Sequence, residues 1–465
     1  MTPRAILLIF LLSIFLQSCK KVAPTDHITY KIDSLLQEWN VEGHPGGSIG
    51  VMKDGELIFS KGYGLASLEY DVPNTDSTLF NIASVSKQFT AYGMAILESQ
   101  GKLSLEDDIR KYLTELPEFA NKITIRHMLN HTSGMRSLHA LLVMAGWRGD
   151  DRRTNQDLMR FMVNQKDLNF EPGAEYLYCN TGYIFCSEII ERITGQEFVP
   201  WMAENVFTPL GMVNTYVEEK YDQVIPNNAT SYNWNHETEE FRRSIPYWGY
   251  VGSGNIHTNI HDMMKWLQHL HQPDDKNKNV VEKMFQRGLL NNGDTINYAL
   301  GLSISKYKEE NRYGHGGSIG GFRAYTATFP EHELHIVVLT NFSSAGSGTV
   351  AMKISDIILN KPVDPEVESP KREELPAMAV SKDIAGSYYS PELETTYTLE
   401  LSEGKLLGRH PRHGVFEIKM VATDTLHSEL FAFAKVYIVR ERNNKIIGVR
   451  VTNGRVRNMW FEKSD

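Results

Sequence analysis

Cysteine is scarce in this chain of 465 residues, which contains only three. Cys179 and Cys186 stand seven positions apart across a predicted helix start, where helical rise would separate their Cα atoms by about 10 Å. A disulfide cannot span that distance. We therefore predict that both are free, buried thiols and that no disulfide framework supports the fold.

The chain also lacks a surplus of positive charge and any long hydrophobic run. Its formal net charge is -9, which argues against nucleic-acid binding because that function needs a basic face. The apolar run from Ala5 to Leu16 is too short for a comfortable membrane span. The sequence shows no low-complexity tract and no convincing repeat. Its length leaves room for one large globular domain and a smaller one.

The N-terminal segment has the features of an export signal. Arg4 precedes the apolar run, which ends in Leu16-Gln17-Ser18-Cys19, and this order is typical of a signal peptide. The last four residues are similar to the lipobox of bacterial lipoproteins, although Gln17 is not the usual small or aliphatic residue. That similarity implies a lipoprotein signal peptide at 1–19, lipidation of Cys19 and a protein exported to the periplasm or cell envelope on a lipid anchor. Simple secretion and an uncleaved anchor are the alternatives.

Beyond the leader, the pattern predicts an α+β domain over 27–360. Strands are predicted at 46–52 and 56–62, a mostly helical region follows, and strands return at 323–329 and 334–341. We therefore expect one antiparallel sheet built from both ends of the domain, flanked by helices, with the helical region inserted between its strands. One of the predicted helices spans 105–113.

Two further segments follow that domain. Residues 361–378 are rich in proline and charge, which predicts a linker. Residues 379–465 are almost entirely strand-like and contain the hairpin signal Asn453-Gly454. We predict a small separate all-β domain there, a barrel or a sandwich.

Ser84 is the candidate nucleophile. The pattern Ser-x-x-Lys occurs six times, but only Ser84 opens a long amphipathic helix, predicted over 85–99. Lys87 lies one turn further along the same face, within reach of the serine oxygen. A serine hydroxyl needs a nearby base, and a lysine whose charged form is disfavoured can take its proton.

Two other motifs are candidate partners of Ser84. Tyr178 and Asn180 stand at a loop that enters a predicted helix. A tyrosine there can exchange protons with the serine or the leaving group, and the asparagine amide can hold the substrate or the lysine. The segment His315-Gly316-Gly317-Ser318 is predicted to precede a strand, and its small residues allow a substrate backbone to approach. The N–H groups of Ser318 and Ser84 can together hold an oxyanion.

In this order, Ser84-x-x-Lys87, Tyr178-x-Asn180 and His315-Gly316-Gly317 resemble the motifs of the penicillin-recognising serine hydrolases. The similarity is to the branch of class C β-lactamases, D-alanyl-D-alanine carboxypeptidases, D-aminopeptidases and related esterases, and it covers about 27–360. It implies that Ser84 is acylated, that Lys87 accepts its proton and that Tyr178 is an acid/base. It further implies that Asn180 positions the substrate and that the Ser84 and Ser318 N–H groups form the oxyanion hole. Supporting stretches are Leu129-Asn130-His131-Thr132-Ser133-Gly134, Phe170-Glu171-Pro172-Gly173, Gly252-Ser253-Gly254 and Gly320-Gly321-Phe322.

One departure from the family pattern affects the expected substrate. β-Lactamases of this family typically carry Lys-Thr-Gly where this chain has His315-Gly316-Gly317, and that lysine and threonine help to bind the β-lactam carboxylate. A histidine is mostly neutral at pH 7 and glycine has no hydroxyl. We therefore expect a hydrolase of D-amino-acid peptides, amides or small esters, peptidoglycan-derived peptides among the candidates, with a β-lactamase proper as the alternative.

No cofactor or metal is implied. His127 and His131 have i, i+4 spacing, but no glutamate follows the first histidine as in zinc peptidases, so we interpret both as structural. Trp234, Trp248 and Tyr250 either line the cleft or pack as a lid or core. The rival from another class is a non-catalytic envelope lipoprotein that binds cell-wall fragments.

Overall fold

The computed structural model describes residues 24–362, 378 and 382–464. The predicted signal peptide with Cys19, and most of the predicted linker, lie outside these residues. Within the described ranges, no helix combines the length and the apolarity needed to cross a membrane.

Helices occupy mainly the middle of the large domain. The α-helices of the described residues are α1 (Pro24–Leu35), α2 (Lys87–Ser99), α3 (Ile125–Leu129), α4 (Leu138–Met144), α5 (Asn155–Met162), α6 (Asn180–Thr194), α7 (Phe198–Met202), α8 (Ile260–His271), α9 (Lys278–Met284) and α10 (Ser347–Ile358). A 3-10 turn, Ala83–Ser86, leads directly into α2.

The large domain contains one main sheet and several short strand pairs. Its strands are β1 (Gly47–Lys53), β2 (Glu56–Tyr63), β3 (Leu65–Ser67), β4 (Val72–Pro73), β5 (Phe80–Asn81), β6 (Arg153–Thr154), β7 (Tyr216–Val217), β8 (Tyr232–Asn235), β9 (Glu240–Arg243), β10 (Trp248–Gly249), β11 (Ile256–Thr258), β12 (Ser303–Tyr307), β13 (Glu310–Ile319), β14 (Phe322–Phe329) and β15 (Leu334–Thr340). The main sheet has the order β12-β13-β14-β15-β1-β2.

The main sheet joins the two ends of the domain, as predicted. β1 pairs antiparallel with β15, Gly47 opposite Thr340, so an early strand lies beside the last one. Every residue of β15 is buried, because α8 packs on one face of the sheet and α10 on the other. The helical region between β5 and β12 closes over the end of β13, and this places the start of α2 beside that strand.

Two local predictions are wrong. Residues 105–113 do not form an α-helix, because the Asp107 and Asp108 side chains accept hydrogen bonds of 2.9 Å from nearby backbone N–H groups. Such local bonds compete with those of a helix. The segment 314–318 is not an irregular lead-in to the strand predicted at 323–329 but itself lies inside a strand, β13, which its glycines conceal because glycine has a low strand propensity.

The C-terminal all-β prediction is confirmed as a closed antiparallel barrel of eight strands. Its strands are β16 (Gly386–Ser390), β17 (Thr395–Ser402), β18 (Lys405–His410), β19 (Gly414–Ala422), β20 (Thr425–Ser428), β21 (Lys435–Arg440), β22 (Ile446–Thr452) and β23 (Met459–Ser464). Side chains such as Tyr397 and Phe461 fill its interior.

The barrel packs firmly on the helical region rather than standing apart from it. The hydrophobic core of the large domain continues into that of the barrel. Arg136 and Glu392 form an ion pair of 2.8 Å across the junction, with side chains only 1% and 3% exposed. The Tyr397 hydroxyl also donates to the carbonyl of Met144 at the end of α4. The turn between β22 and β23 also contacts the large domain, where the Arg455 carbonyl oxygen accepts a hydrogen bond of 3.3 Å from the Ser137 N–H.

Candidate active site

Ser84 lies on a sharp turn immediately before α2. The preceding residue, Ala83, has φ = 48°, a left-handed conformation that side-chain-bearing residues rarely adopt. The Asn81 side-chain oxygen stabilises this conformation by accepting a hydrogen bond of 2.9 Å from the Ala83 N–H. Strain of this kind persists where the surrounding structure imposes it, and here it fixes the direction of Ser84.

Lys87 is fully buried beside Ser84. Its Nζ lies 3.1 Å from Ser84 Oγ and 2.6 Å from the carbonyl oxygen of Ser253. No carboxylate among the described residues forms an ion pair with it. Burial lowers the pKa of Lys87 well below the ordinary value of lysine, and the positive charge of Arg455 lowers this pKa further. The amine is thus held in contact with the serine hydroxyl and favoured in its neutral, proton-accepting form.

Tyr178 completes the group around Ser84. The Lys87 Nζ lies 5.0 Å from the centre of the Tyr178 ring. Burial raises the pKa of Tyr178 above its ordinary value, while proximity to Ser84 and then to Arg455 opposes that rise. The Tyr178 hydroxyl is buried beside Ser84 and forms no hydrogen bond of acceptable geometry with a described residue. It is therefore a neutral phenol with its proton free to be donated.

His131 positions Tyr178. The two ring centres are 4.1 Å apart, and the His131 Nδ1 accepts a hydrogen bond of 3.1 Å from the N–H of Cys179. Burial, followed by the charge of Lys87, lowers the pKa of His131 well below its ordinary value, so the ring is neutral. His127 caps its own helix through Thr124. Both histidines have the structural roles that the sequence predicts.

The end of β13 forms the wall opposite Tyr178. The pairing with β12 stops at Gly314, so among the described strands residues 315–319 have β14 on one side and an open edge on the other. A Cβ atom on Gly317 would lie 2.2 Å from the carbonyl oxygen of Ile82. Glycine is therefore required for the strand to come this close to the turn that carries Ser84.

His315 is buried and neutral. Its Nε2 lies 2.9 Å from the hydroxyl of Tyr298 and its Nδ1 lies 2.6 Å from the carbonyl oxygen of Gly316. Because a carbonyl can only accept, Nδ1 carries the proton and Nε2 accepts from the tyrosine. Burial, and then the charge of Lys87, lowers the pKa of His315 to about 4. This position of the strand carries no cation at neutral pH.

The predicted site residues open into one cleft of about 670 Å³. Its lining includes Ser84, Tyr178, Asn180 and the segment 315–318, with Lys87 buried immediately beneath. Asn180 is the first residue of α6, and its side-chain oxygen is buried without a partner among the described residues. That oxygen is available to accept a hydrogen bond from a substrate N–H.

Other lining residues were missed or left undecided by the sequence. Trp248 and Tyr250 line the cleft, whereas Trp234 lies on the β8–β9 hairpin away from it. His139 also lines the cleft, although it belongs to no recognised motif. Arg455 reaches the cleft from the barrel, and only the hairpin signal just before it marked this region. Among the described residues, no group of histidine, cysteine and acidic side chains is arranged to hold a metal ion.

A family model described as "Beta-lactamase" matches residues 32–354. Penicillin-binding protein 4* of Bacillus subtilis (strain 168) is 28% identical over 358 residues, which cover 74% of this chain and 79% of the relative. A D-aminopeptidase of Brucella anthropi is 28% identical over 334 residues, which cover 70% of this chain but only 61% of the relative.

Solved structures share the fold. The octameric penicillin-binding protein homologue from Pyrococcus abyssi has a TM-score of 0.64 and 24% identity, covering 93% of this chain and 99% of that one. The D-amino acid amidase from Ochrobactrum anthropi SV3 has a TM-score of 0.60 and 22% identity, covering 72% and 99%. These findings confirm the resemblance seen in the motifs: the chain belongs to the beta-lactamase family and is a serine hydrolase of its penicillin-binding-protein-like type.

Proposed function

We propose that this protein hydrolyses D-amino-acid peptides, amides or small esters through an acyl-enzyme on Ser84. The observation that carries the proposal is the fully buried Lys87 amine, 3.1 Å from Ser84 Oγ and without a carboxylate partner among the described residues. A lysine in that environment favours its neutral form and can accept the serine proton.

In the first step, Ser84 Oγ attacks the substrate carbonyl carbon while its proton passes to the neutral Lys87 amine. The carbonyl oxygen becomes an oxyanion, which accepts hydrogen bonds from the backbone N–H groups of Ser84 and Ser318. The latter belongs to the open edge of β13. Asn180 and the same strand edge hold the substrate backbone in line for the attack.

In the second step, the bond to the leaving group breaks and the oxyanion collapses to the acyl-enzyme. Tyr178 donates its proton to the departing nitrogen or oxygen, and the Lys87 ammonium returns a proton to Tyr178. Water then attacks the acyl carbon, gives up a proton by the reverse relay and releases Ser84. Burial supports these roles, because it favours the neutral amine of Lys87 as acceptor and the neutral phenol of Tyr178 as donor.

The substrate class rests on two supports. The first support is the name D-aminopeptidase, which several relatives carry and which points to acyl donors of D configuration. The neutral His315 stands where family β-lactamases carry a lysine that binds the β-lactam carboxylate, so efficient cephalosporin hydrolysis is not expected. A high kcat/KM on cephalosporins would contradict this choice and favour the β-lactamase alternative.

Export on a lipid anchor is also proposed, on the strength of residues 1–19 alone. Expression in a bacterial host with labelled palmitate should give a labelled, membrane-associated protein, and Cys19→Ala should abolish the label. An unlabelled protein in the soluble periplasmic fraction would indicate simple secretion instead.

The test of the catalytic assignment is the intact mass of the soluble chain without its leader after incubation with a fluorophosphonate or a penicillin. A single adduct is expected in the native chain and in Ser347→Ala, a serine of the same cleft, but not in Ser84→Ala. A long-lived penicillin adduct would indicate a cell-wall peptidase, and a fluorophosphonate adduct alone an esterase or amidase. The absence of both adducts would favour the non-catalytic binding protein.

A further inference from the structure

Arg455 brings a positive charge from the barrel into the cleft of the large domain. It lies in the turn between β22 and β23 and lines the cleft together with Ser84 and Tyr178. Its guanidinium carbon is 4.9 Å from the centre of the Tyr178 ring. This cation is therefore next to the group to which we assign protonation of the leaving group.

The turn that carries Arg455 is fixed to the large domain by its backbone. The Arg455 carbonyl oxygen accepts hydrogen bonds from the Ser137 N–H at 3.3 Å and from the Asn169 side-chain amide at 3.2 Å. Asn169 also accepts a bond of 2.7 Å from the Arg457 N–H. Within the turn, Asn453 accepts a bond from the Arg455 N–H. The backbone of Arg455 is thus held in place before any ligand arrives, which lowers the entropic cost of binding.

The guanidinium group of Arg455 has no hydrogen-bond or ion-pair partner among the described residues; its contact there is with the face of the Tyr178 ring. No described Asp or Glu forms an ion pair with the Arg455 guanidinium, and its side chain donates no hydrogen bond to a described residue. Arg457, two residues further on, is different because it is paired with Glu175 at 2.9 Å. The described residues that line the cleft include no acidic side chain. The field in the cleft is therefore positive, since Arg455 lines it and two further cations, Arg153 and, when protonated, Lys87, lie directly behind its lining residues.

We propose that Arg455 binds a carboxylate on the leaving-group side of the substrate, so that the enzyme selects peptides and esters with a free terminal carboxylate. This inference rests on the proposed acyl-enzyme function. A guanidinium group binds a carboxylate through two parallel N–H donors. A substrate with a free ammonium group at the same place would meet a like charge and find no acidic side chain among the lining residues.

The barrel in this way supplies the charge that β13 lacks. His315 is neutral and bonded to Tyr298, so it cannot pair with a carboxylate. Arg455 stands on the side of the cleft formed by the helical region, as its bond from Ser137 shows. A carboxylate held there lies beside Tyr178, where the departing group receives its proton.

The test compares two thioesters of N-acetyl-D-alanine, one with mercaptoacetate and one with mercaptoacetamide as the leaving thiol. They share the acyl group and differ in one negative charge on the leaving side. The measured quantity is the ratio of kcat/KM for the acid to that for the amide, in the native chain and in Arg455→Gln, Arg455→Lys and Arg457→Gln. The ratio is taken at one pH, so an altered pKa of Lys87 affects both substrates equally.

The native enzyme should prefer the acid, and Arg455→Gln should reduce the ratio by at least about tenfold, as expected for a charge-assisted hydrogen bond. Arg455→Lys should retain part of the preference, and Arg457→Gln all of it. A ratio that is unchanged in Arg455→Gln, or a native preference for the amide, would overturn the inference. If turnover is slow, the two thioesters are compared as inhibitors of the labelling of Ser84 by a fluorophosphonate. Equal inhibition by the acid and the amide in the native chain would likewise overturn the inference. Labelling of Ser84 by the fluorophosphonate alone tests the proposed acyl-enzyme function. A failure of that function can therefore be told apart from a failure of the carboxylate preference.

Discussion

The ion pair between Arg136 and Glu392 is the most deeply buried of the ion pairs that join the large domain to the barrel among the described residues. Both side chains are almost fully buried, and Arg136 Nη1 lies 2.8 Å from Glu392 Oε2. The same carboxylate oxygen accepts a hydrogen bond of 3.0 Å from the N–H of Lys166. The substitution Glu392→Gln nearly keeps the volume of the side chain, removes its charge and replaces one acceptor oxygen by an NH2 donor.

The expected cost follows from what remains around the guanidinium group. Breaking a buried ion pair by removing one partner typically costs about 3–5 kcal/mol, because the other charge stays buried without compensation. Arg136 keeps two neutral acceptors, the Gln165 side chain at 2.8 Å and the Arg457 carbonyl at 3.2 Å. We therefore expect the low end of that range, about 3 kcal/mol. The double substitution Arg136→Met with Glu392→Leu should recover most of the loss, since a well-packed apolar pair is often as stable as a buried ion pair.

The assay is urea unfolding of the soluble chain, in which the free energy of unfolding is obtained from the midpoint and the slope. Glu417→Gln is the matched control, because Glu417 pairs with Lys405 on the exposed barrel surface and its loss should leave the midpoint unchanged. A loss below about 1 kcal/mol in Glu392→Gln would refute the reasoning. So would a double variant that is no more stable than the single one.

Four further predictions concern the cleft. If Lys87 is the base, as proposed, kcat/KM should rise with pH and level off well below pH 10.5, the ordinary lysine pKa; a pH–rate profile that climbs to pH 10.5 would contradict this. Lys87→Met should slow fluorophosphonate labelling of Ser84 by about 10²–10⁴-fold, measured by mass spectrometry with unchanged circular dichroism as the control. Tyr178→Phe should slow amide hydrolysis far more than hydrolysis of a nitrophenyl ester, whose leaving group needs no proton; equal losses would remove Tyr178 from the role of acid. Gly317→Ala should reduce labelling because its Cβ would meet the Ile82 carbonyl oxygen, and a rate like that of the native chain would show that the strand can shift.

The strands at the centre of the main sheet were predictable because their apolar runs are strong. β15 is buried throughout, and its continuous hydrophobic sequence shows this directly. β13 was not predictable, because a strand that contains Gly314, Gly316 and Gly317 has little intrinsic preference for extended structure. Its conformation comes from pairing with β14. The glycines of β13 have both effects: they hide the strand in the sequence, and they allow it to come close to Ile82.

The sequence motifs identified which residues meet around Ser84, but they did not determine the protonation states. Ser84, Lys87 and Tyr178 come together as the motifs predict, yet spacing alone leaves open which group is the base. Burial supports the proposed assignment of Lys87 as the base, because it favours the uncharged amine and the uncharged phenol at once. Burial depends on the packing of distant segments, among them the Ser253 loop whose carbonyl contacts the lysine, and no local pattern encodes it.

Arg455 shows most clearly why the site could not be completed from the sequence. Its only local signal is a hairpin turn, and an arginine next to such a turn is ordinarily a solvated surface residue. The charge becomes part of the cleft only because α4 and the buried pair of Arg136 and Glu392 hold the barrel against the helical region. Arg136 also donates to the carbonyl of Arg457 in the same turn. The contacts that stabilise the junction therefore also position the cation, so a variant that loosens the junction should lose stability and preference for carboxylates together.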